Sequence, residues 1–498
     1  MLSLTVFLPL AAALVLSAWR GLSEPAVRWL WAGISGVEPA LVAALWITYD
    51  GPGIGHETDR PWLPGAGAGY HIGVDGLSLP LLALTAVVFL ACAVYSLRGR
   101  PAQRDLRRFA ALFLALETTC LGLFAALDLI LFFVFFDLSI VGMYLVIAGW
   151  GHGEQAARSA LKFFLYTFVG SLALLLGFIG LYAASDPHTF DITELTADPP
   201  LQGSGAAGPL VLLAIAVGLA VKTPTFPFHT WLPPAHTDAP AAGSAVLAAI
   251  LLKMGTYGFV RIAMPILPEA WRTYAMVFVV VGVVSALYGV LVALAQSSFK
   301  RMIAYTSVNH MGYVLLALGA AGLAAGTDEA ARVTAVTGAV VQMVSHGLIT
   351  GALFLLAGIL MDRGGTYEMD AWGGLAGPMP RFAALTAVAA FAGLGLPGFS
   401  GFIAEFQIFA GSLGAVPVAT ALALLGILVT AGLFLWALHR LFLGVRREPK
   451  PVGADLRPAE LLSVAPLLAL SLLIGVLPRW LLDVIEPAAR TVVDLVAR

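Results

Sequence analysis

Charged residues are scarce in this chain, and their scarcity excludes a soluble domain. Of 498 residues, 11% are Asp, Glu, Lys or Arg, whereas 60% are hydrophobic, and the mean hydropathy is +0.92. A soluble domain carries about 25% charged residues. The only two cysteines, Cys92 and Cys120, lie in separate apolar runs without metal-type spacing, so we interpret them as packing residues. The net charge of −2 provides no basic face for nucleic acid.

Apolar runs of roughly 20 residues, each long enough to cross a bilayer, recur along the whole sequence. They predict an all-α polytopic membrane protein with about fourteen transmembrane helices. The first run lacks a basic start and a clear cleavage site, so we interpret it as a retained helix rather than a signal peptide. The predicted spans are centred near residues 10, 38, 87, 116, 138, 172, 215, 250, 282, 310, 346, 393, 430 and 467.

The basic residues predict the orientation of these spans. If the N-terminus is outside, the cytoplasmic loops and helix ends hold most of the lysines and arginines, which is the usual bias. Examples are Arg98, Arg100, Arg104, Lys300 and Arg446. The distribution predicts a multi-pass protein with both termini on the outer side. The segment "GPGIGHETDRPWLPGAGAGYHIG" then lies outside. We expect it to be a glycine-rich loop without a nucleotide role, because no strand precedes it.

Two predicted spans are interrupted by helix breakers. The seventh contains "KTPTFP", and the twelfth contains "AFAGLGLPGFSGFIAEF". The two breaks are offset by five spans, as expected for two inverted five-helix repeats, and paired broken helices mark the conduction site in transporters built this way. The predicted division is 1–106 (spans 1–3), 107–264 (first repeat), 265–445 (second repeat) and 446–498 (C-terminal helix and tail).

Several ionisable residues fall inside the predicted spans. A charged residue at mid-membrane costs about 2.5–3.5 kcal/mol on insertion scales and is a candidate for function. Each one taken alone is compatible with a structural ion pair, a packing histidine or a side chain that reaches the headgroups, but the series as a whole favours function. The candidates are Glu117, Asp137, Lys222, Lys253, His310, His346 and Glu405.

Such a series suits the transfer of protons. Burial disfavours the charged form of a carboxylate or lysine, and an opposite charge favours it, so a buried pair can switch between the two states. Histidine can connect such groups because both of its ring nitrogens exchange protons near neutral pH. The helix breaks add freed backbone groups that can hold water in a dry layer. A helix break that admits water beside an ionisable side chain explains why Lys222 is followed so closely by Pro224.

The same residues stand in motifs of a known family. They include "YHIGVDGLSLPLLALTA", "AVKTPTFPFHTWLPPAHTDAPAAGSAVLAAILLKMGTYGFVR", "SSFKRMIAYTSVNHMGYVLLAL", "VVQMVSHGLITGALFLLAGIL" and "LPGFSGFIAEF". Over nearly its whole length the chain resembles the antiporter-like subunit M family of the proton-translocating NADH:quinone oxidoreductase, respiratory complex I. The lysine-bearing stretch is specific to the antiporter-like superfamily, and "YHIGVDGLS" favours subunit M within it.

The resemblance implies roles for the candidates. Asp137, where the family normally has glutamate, would pair with Lys222, and Lys253 would be the central lysine. His310 and His346 would connect Lys253 to Glu405, from which the proton exits. Glu117 matches a further acidic position of the family.

The resemblance also implies a setting for the chain. The chain would be a non-redox subunit in the plasma membrane. It would have no flavin, iron–sulfur cluster or quinone site of its own, because those cofactors belong to partner subunits. The implied partners are the other membrane-arm subunits, especially neighbouring antiporter-like subunits, together with lipid and protons.

Three alternatives remain open on the sequence. The first is a subunit of a multi-subunit sodium/proton antiporter or of a membrane-bound hydrogenase. The second is a haem protein with His310 and His346 as axial ligands. The third is a membrane scaffold without a transport role.

Overall fold

The computed structural model describes residues 1–19, 21–98, 105–323, 328–449 and 453–497, so Arg100 and Arg104 of the orientation argument lie outside the described residues. Helices dominate these ranges. They are α1 (Leu2–Ala18), α2 (Glu24–Ile47), α3 (Leu79–Ser96), α4 (Leu106–Ala125), α5 (Leu129–Trp150), α6 (Ala156–Ala184), α7 (Ile192–Ala197), α8 (Ala207–Lys222), α9 (Leu232–Asp238), α10 (Ala241–Val246), α11 (Leu252–Gly258), α12 (Met264–Ile266), α13 (Pro268–Leu294), α14 (Phe299–Leu323), α15 (Glu329–Gly364), α16 (Pro380–Gly393), α17 (Ser400–Leu413), α18 (Pro417–Phe442), α19 (Pro458–Val476) and α20 (Arg479–Ala497).

The helices have the length and composition of membrane spans. Within the described ranges, ten helices are long and apolar enough to cross a membrane, and three shorter apolar helices, α1, α8 and α16, accompany them. The molecule is therefore a polytopic helical membrane protein, as predicted. Each of the fourteen predicted span centres falls within a helix, and the total of fourteen crossings stays a prediction.

One β-hairpin departs from the all-helical prediction. Strand β1 (Gly55–Leu63) pairs antiparallel with β2 (Ala68–Val74) in the segment that we expected to be an irregular glycine-rich loop. Gly67 makes this turn possible, because its φ of +68° lies in the left-handed region that glycine adopts without strain. Because glycine is abundant in this segment, the sequence did not indicate the two strands. We call the end of the helix bundle that carries this hairpin the hairpin face.

The hairpin is tied to the loops around it. Asp128 caps α5 by accepting from the backbone N–H groups of Ile130 and Leu131, and it also accepts from the N–H of Gly69 at 2.9 Å. The His71 carbonyl accepts from the N–H of Leu127 at 2.9 Å. These bonds satisfy backbone groups where the chain leaves regular structure, and they fix the hairpin against the α4–α5 connection.

Both predicted helix breaks are present. Helix α8 ends at Lys222 and the chain resumes as α9 at Leu232, while α16 ends at Gly393 and α17 begins at Ser400. A further irregularity was not predicted. The element that carries Lys253 contains two π-helical segments, Leu247–Leu251 and Phe259–Ala263, on either side of α11. Such segments are rare and often lie at functional sites.

Helix α15 forms the centre of the bundle. It has 36 residues, and the apolar window within it is fully buried. Buried arginines anchor its two ends to the C-terminal segment. Arg332 donates to the carbonyl of Val493 on α20 at 3.0 Å. Near the other end, Arg363 donates to both carboxylate oxygens of Glu460 on α19, at 3.1 and 2.7 Å. The predicted C-terminal tail therefore contains a helix, α20, that packs against the bundle.

Small residues allow close approach of α13 and α14. A Cβ atom added at Gly312 would lie 2.5 Å from the carbonyl oxygen of Gly282, and one added at Gly282 would lie 2.6 Å from the backbone nitrogen of Leu316. Neither position has room for a side chain, because the obstructing atoms are backbone. Close packing of this kind is typical of membrane helices, which gain little from burying apolar surface within lipid. It holds α14, the helix of His310, in place.

Candidate functional site

Lys222 lies at the end of α8, immediately before the helix break. Its side chain is buried, and its Nζ donates to Ser139 Oγ of α5 at 2.9 Å and lies 4.7 Å from the centre of the Phe136 ring. The backbone carbonyls at the break have protein donors: the indole of Trp231 bonds to Val221 at 3.0 Å, and the N–H of Thr225 bonds to Ala220 at 3.1 Å. The break therefore places the lysine without requiring water to satisfy these two carbonyls.

Asp137 lies two residues before Ser139 on α5 and is half-buried. It is close enough to Lys222 for the two charges to interact, but the hydrogen bond of Lys222 goes to Ser139 instead. Its Oδ1 has no hydrogen-bond partner among the described residues. The short aspartate side chain is consistent with this looser arrangement. The neighbouring residues Leu138 and Val141 are exposed, so this stretch of α5 lies at the periphery of the bundle.

Lys253 lies at the centre of the bundle and is fully buried. Its Nζ donates to the carbonyl of Ala248, five residues earlier, at 2.6 Å, and lies 2.5 Å from Nδ1 of His346 on α15. The carbonyl of Ala248 is in reach because it belongs to a π-helical turn, in which the regular helical hydrogen-bond pattern is shifted by one residue. The Nε2 atom of His346 has no partner in the described part of the chain.

The chain of polar groups continues from His346 to α17. The rings of His346 and His310 are 5.4 Å apart between centroids. The Nδ1 atom of His310 lies 3.5 Å from the Glu405 carboxylate and 3.0 Å from Gln342 Nε2. A cavity of about 10 Å³ lies among these side chains, which is about the space that the centre of one water molecule needs.

Gly395 explains how Glu405 fits beside the second break. A Cβ atom at Gly395 would lie 2.3 Å from Glu405 Oε2, and the residue has a φ of +76°. Glycine avoids both the clash and the backbone strain. The break therefore places a glycine, which has no side chain, next to the buried carboxylate of Glu405.

Four of the predicted site residues thus form one continuous group. Lys253, His346, His310 and Glu405 follow one another at contact distances. Lys222 and Asp137 form a second group. Between the two groups α8 and α11 pack closely, since a Cβ atom at Gly255 would lie 2.3 Å from Thr223 Oγ1. That hydroxyl is buried and has no partner within the described ranges.

Glu117 lies apart from both groups. It is fully buried on α4, and its Oε2 accepts a hydrogen bond from Ser35 of α2 at 2.9 Å. A second buried carboxylate accompanies it, because Glu38 of α2 is also fully buried. Glu38 was not among the predicted site residues, although it is an ionisable residue at the predicted centre of the second span.

Two further buried groups were not recognised as candidates. Lys300 was assigned to a cytoplasmic helix end, but it is fully buried and its Nζ donates to the carbonyl of Ala239 at 2.6 Å. His236 is also fully buried, stacks on Phe354 with centroids 4.5 Å apart, and lies within electrostatic reach of Lys253 and Lys300. Packing places both side chains inside the bundle.

A separate ionic cluster lies on the hairpin face, outside the spans. His71 of β2 contacts Asp191 through Nδ1, and its Nε2 lies 2.7 Å from Glu57. Burial lowers the pKa of His71, but the hydrogen bond and charge of Asp191, with help from Glu57, raise it to about 9. Burial raises the pKa of Asp191, but the contact with His71 keeps it below its ordinary value. The cluster clamps the hairpin to the segment before α7.

The geometry does not fit a haem between the two histidines. Their rings are 5.4 Å apart with only the small cavity of about 10 Å³ beside them, and Nδ1 of His346 is engaged by Lys253. Cofactor pockets are typically about 300–1,000 Å³. Within the described residues, no group of three or more His, Cys, Asp or Glu side chains is placed to hold a metal ion.

The fold and the buried ionisable residues define an antiporter-type membrane subunit. The chain belongs to the family described as NADH:quinone oxidoreductase/Mrp antiporter, TM, whose model matches residues 126–433. Among its relatives, NADH-quinone oxidoreductase subunit M of Rhodobacter capsulatus is 38% identical over 518 residues, which cover 99% of this chain and 96% of the relative. The F(420)H(2) dehydrogenase subunit M of Methanosarcina mazei is 39% identical and covers 88% of this chain and 86% of the relative.

Solved structures agree. A chain of respiratory complex I from Thermus thermophilus with bound NADH superposes with a TM-score of 0.89 at 33% identity, with complete coverage of both chains. A chain of the Mrp complex from Dietzia superposes with a TM-score of 0.85 at 22% identity, covering 100% of this chain and 99% of that one, which shows a shared fold. The resemblance to subunit M that the sequence motifs indicated is confirmed.

Proposed function

We propose that the chain is the proton-translocating subunit M of a membrane-bound NADH:quinone oxidoreductase. One observation supports the proposal: Lys253, His346, His310 and Glu405 form a buried series of ionisable groups in which each lies next to the following one. In structural ion pairs, each charged side chain would be neutralised by an opposite charge directly beside it. This series instead joins a lysine at the bundle centre to a carboxylate at the second helix break.

The series works as a relay in which each group hands a proton to its neighbour. The lysine can pass a proton to Nδ1 of His346 at 2.5 Å. The transfer from His346 to His310 requires a ring rotation or one water molecule, because the rings meet edge to face. Glu405 then receives the proton from His310, whose Nδ1 lies 3.5 Å away. Histidine suits the middle positions because it titrates near neutral pH.

Lys222 and Asp137 supply the other half of the proposed relay. The strength of their interaction depends on whether the Lys222 side chain lies nearer to Ser139 or to Asp137. Movement of the side chain between these two positions would change the charge next to α11, the helix that carries Lys253. Glu117 is a further proton-exchanging position. The Thr223 hydroxyl, buried and without a partner among the described side chains, is a suitable site for a water molecule that connects the two halves.

The proposal includes the setting of the chain. The subunit crosses the plasma membrane fourteen times with both termini outside, and the segments 107–264 and 265–445 are inverted repeats. It contains no redox centre of its own. The flavin, iron–sulfur clusters and quinone site belong to partner subunits, and neighbouring antiporter-like subunits flank it in the membrane arm. The exposed apolar residues of α5 beside Asp137 are suited to such a contact.

Substitutions in the assembled complex test this function. In inverted membrane vesicles, we expect Lys253→Ala and Glu405→Ala to reduce NADH-driven proton pumping at least tenfold while the complex still assembles. The matched control is Glu154→Gln, which removes an exposed carboxylate in the α5–α6 connection. Unchanged pumping in the fully assembled Lys253→Ala complex would contradict the relay and favour a scaffold role. Pumping that requires sodium and not NADH would favour an antiporter subunit.

A further inference from the structure

Two buried carboxyl groups lie within electrostatic reach of each other where α2 packs against α4. Glu38 and Glu117 are both fully buried. Both carboxylate oxygens of Glu38 and one oxygen of Glu117 have no hydrogen-bond partner among the described residues. Two unpaired ionised carboxylates at this depth would each carry the cost of burial and would also repel each other.

The helix geometry brings the two groups together. Ser35 and Glu38 are three residues apart on α2 and therefore point from the same face. Because the Ser35 hydroxyl donates to Glu117 Oε2 at 2.9 Å, this face of α2 is directed at Glu117. The charges of the two carboxyl groups are close enough to interact. The pair is thus one site rather than two separate buried acids.

Among the described residues, no lysine or arginine is hydrogen-bonded to either carboxyl group. Arg28, the nearest arginine on α2, lies ten residues before Glu38, which corresponds to about 15 Å along the helix axis, and it pairs with Glu24 at 3.2 Å. Cys120, one turn from Glu117 on α4, lies within electrostatic reach of both Glu117 and Lys222. Titratable side chains on the other packed elements are Tyr70 and His71 on β2, Cys92 and Tyr95 on α3, Asp137 and Tyr144 on α5, and Lys253 and Tyr257 on α11.

We propose that Glu38 and Glu117 form a proton-binding site, in which two carboxyl groups jointly hold one proton. The site then carries one negative charge instead of two, whichever of the two carboxyl groups holds the proton. Glu117 is eight residues from the end of α4, and Asp137 is eight residues from the start of α5. Both are therefore about 12 Å below the hairpin face.

This common depth gives the site a role beside the input half of the relay. The pair stores a proton at the depth of Asp137, and Cys120 lies within electrostatic reach of both Glu117 and Lys222. The role as a store rests on the proposed function, whereas the existence of the proton-binding site does not.

Chemical labelling tests the site in the unchanged chain. A hydrophobic carbodiimide reacts with carboxyl groups that are protonated and accessible from an apolar medium. We expect exhaustive reaction of native membranes at neutral pH to place one label per chain on either Glu38 or Glu117, located by mass spectrometry of peptides. The internal control is Glu460, which is equally buried but bonded to Arg363 and should remain unlabelled.

Either of two other labelling results would overturn the proposal. Absence of label from both residues would mean that neither carries a proton. Two labels on the same chain would mean two independent neutral acids rather than a shared proton. No substitution is needed for this measurement, so a variant that fails to fold cannot obscure it.

Pumping assays test the role as a store. In vesicles we expect the double variant Glu38→Gln, Glu117→Gln to lower proton pumping at least twofold at constant NADH oxidation, relative to Glu154→Gln. Normal pumping in the double variant, with pumping lost in Lys253→Ala, would overturn the store and leave the proposed function intact. Normal pumping in Lys253→Ala would count against the proposed function instead, whatever the labelling shows.

Discussion

The ionic cluster of the hairpin face makes a quantitative prediction about pH. The pKa of His71 is about 9, against an ordinary value of 6.5. A group whose pKa is raised by folding contributes its full stabilisation below its ordinary pKa and loses it as the pH rises through the folded value. The clamp should therefore be intact below about pH 6.5 and should weaken progressively between about pH 6.5 and pH 9.

The magnitude follows from the shift of about 2.5 pKa units, the difference between those two values. One unit corresponds to about 1.4 kcal/mol, so the upper limit is about 3 kcal/mol. His71 itself is only 4% exposed, but the Glu57 side chain is 49% exposed, and solvent screens its contribution. We expect a loss of about 2 kcal/mol, equivalent to roughly a 30-fold increase in local opening.

Hydrogen exchange measures this opening directly. The amides of Gly69 and Leu127 are bonded at the hairpin, and their protection factors, corrected for the intrinsic rate at each pH, should fall roughly 30-fold between pH 7 and pH 10. In His71→Gln the same factors should be lower at pH 7 and nearly independent of pH over this range. Equal pH profiles for the parent chain and His71→Gln would refute the reasoning.

Three further predictions concern the bundle. Asp137→Asn should reduce proton pumping at least fivefold, whereas Asp137→Glu should be tolerated; vesicle assays that found Asp137→Asn normal would remove Asp137 from the relay. Arg363→Ala should destabilise the chain by about 3–5 kcal/mol, because it leaves Glu460 buried without its cation, and the added change Glu460→Gln should recover part of the lost thermal stability. Gly312→Leu should lower the yield of folded protein far more than Gly432→Leu, since no atom lies within 4 Å of a Cβ atom at Gly432.

Much of the fold could be predicted from local sequence. Uninterrupted apolar runs indicate membrane helices because no other backbone arrangement with such composition satisfies its polar groups in lipid. The breaks after Lys222 and Gly393 could be predicted because proline and glycine interrupt helices by mechanisms that are local. These signals do not depend on which helices become neighbours.

Features that depend on neighbours could not be predicted in this way. The choice of Ser139 rather than Asp137 as the partner of Lys222 follows from how α5 and α8 pack. The π-helical segments around Lys253 leave no residue-level signal, because the sequence there is ordinary for a helix. The burial of Lys300 depends on an acceptor, the carbonyl of Ala239, that is 61 residues distant in sequence.

The anchoring of α15 restricts what its central histidine can do. With one end held by Arg332 and the other by Arg363, this helix of about 54 Å cannot slide along its axis unless both anchors are released. A piston-like stroke of α15 is therefore disfavoured as a step in turnover. The groups that can move near the centre of α15 are the imidazole of His346, through rotation about its side-chain bonds, and the long flexible side chain of Lys253 on the adjacent α11.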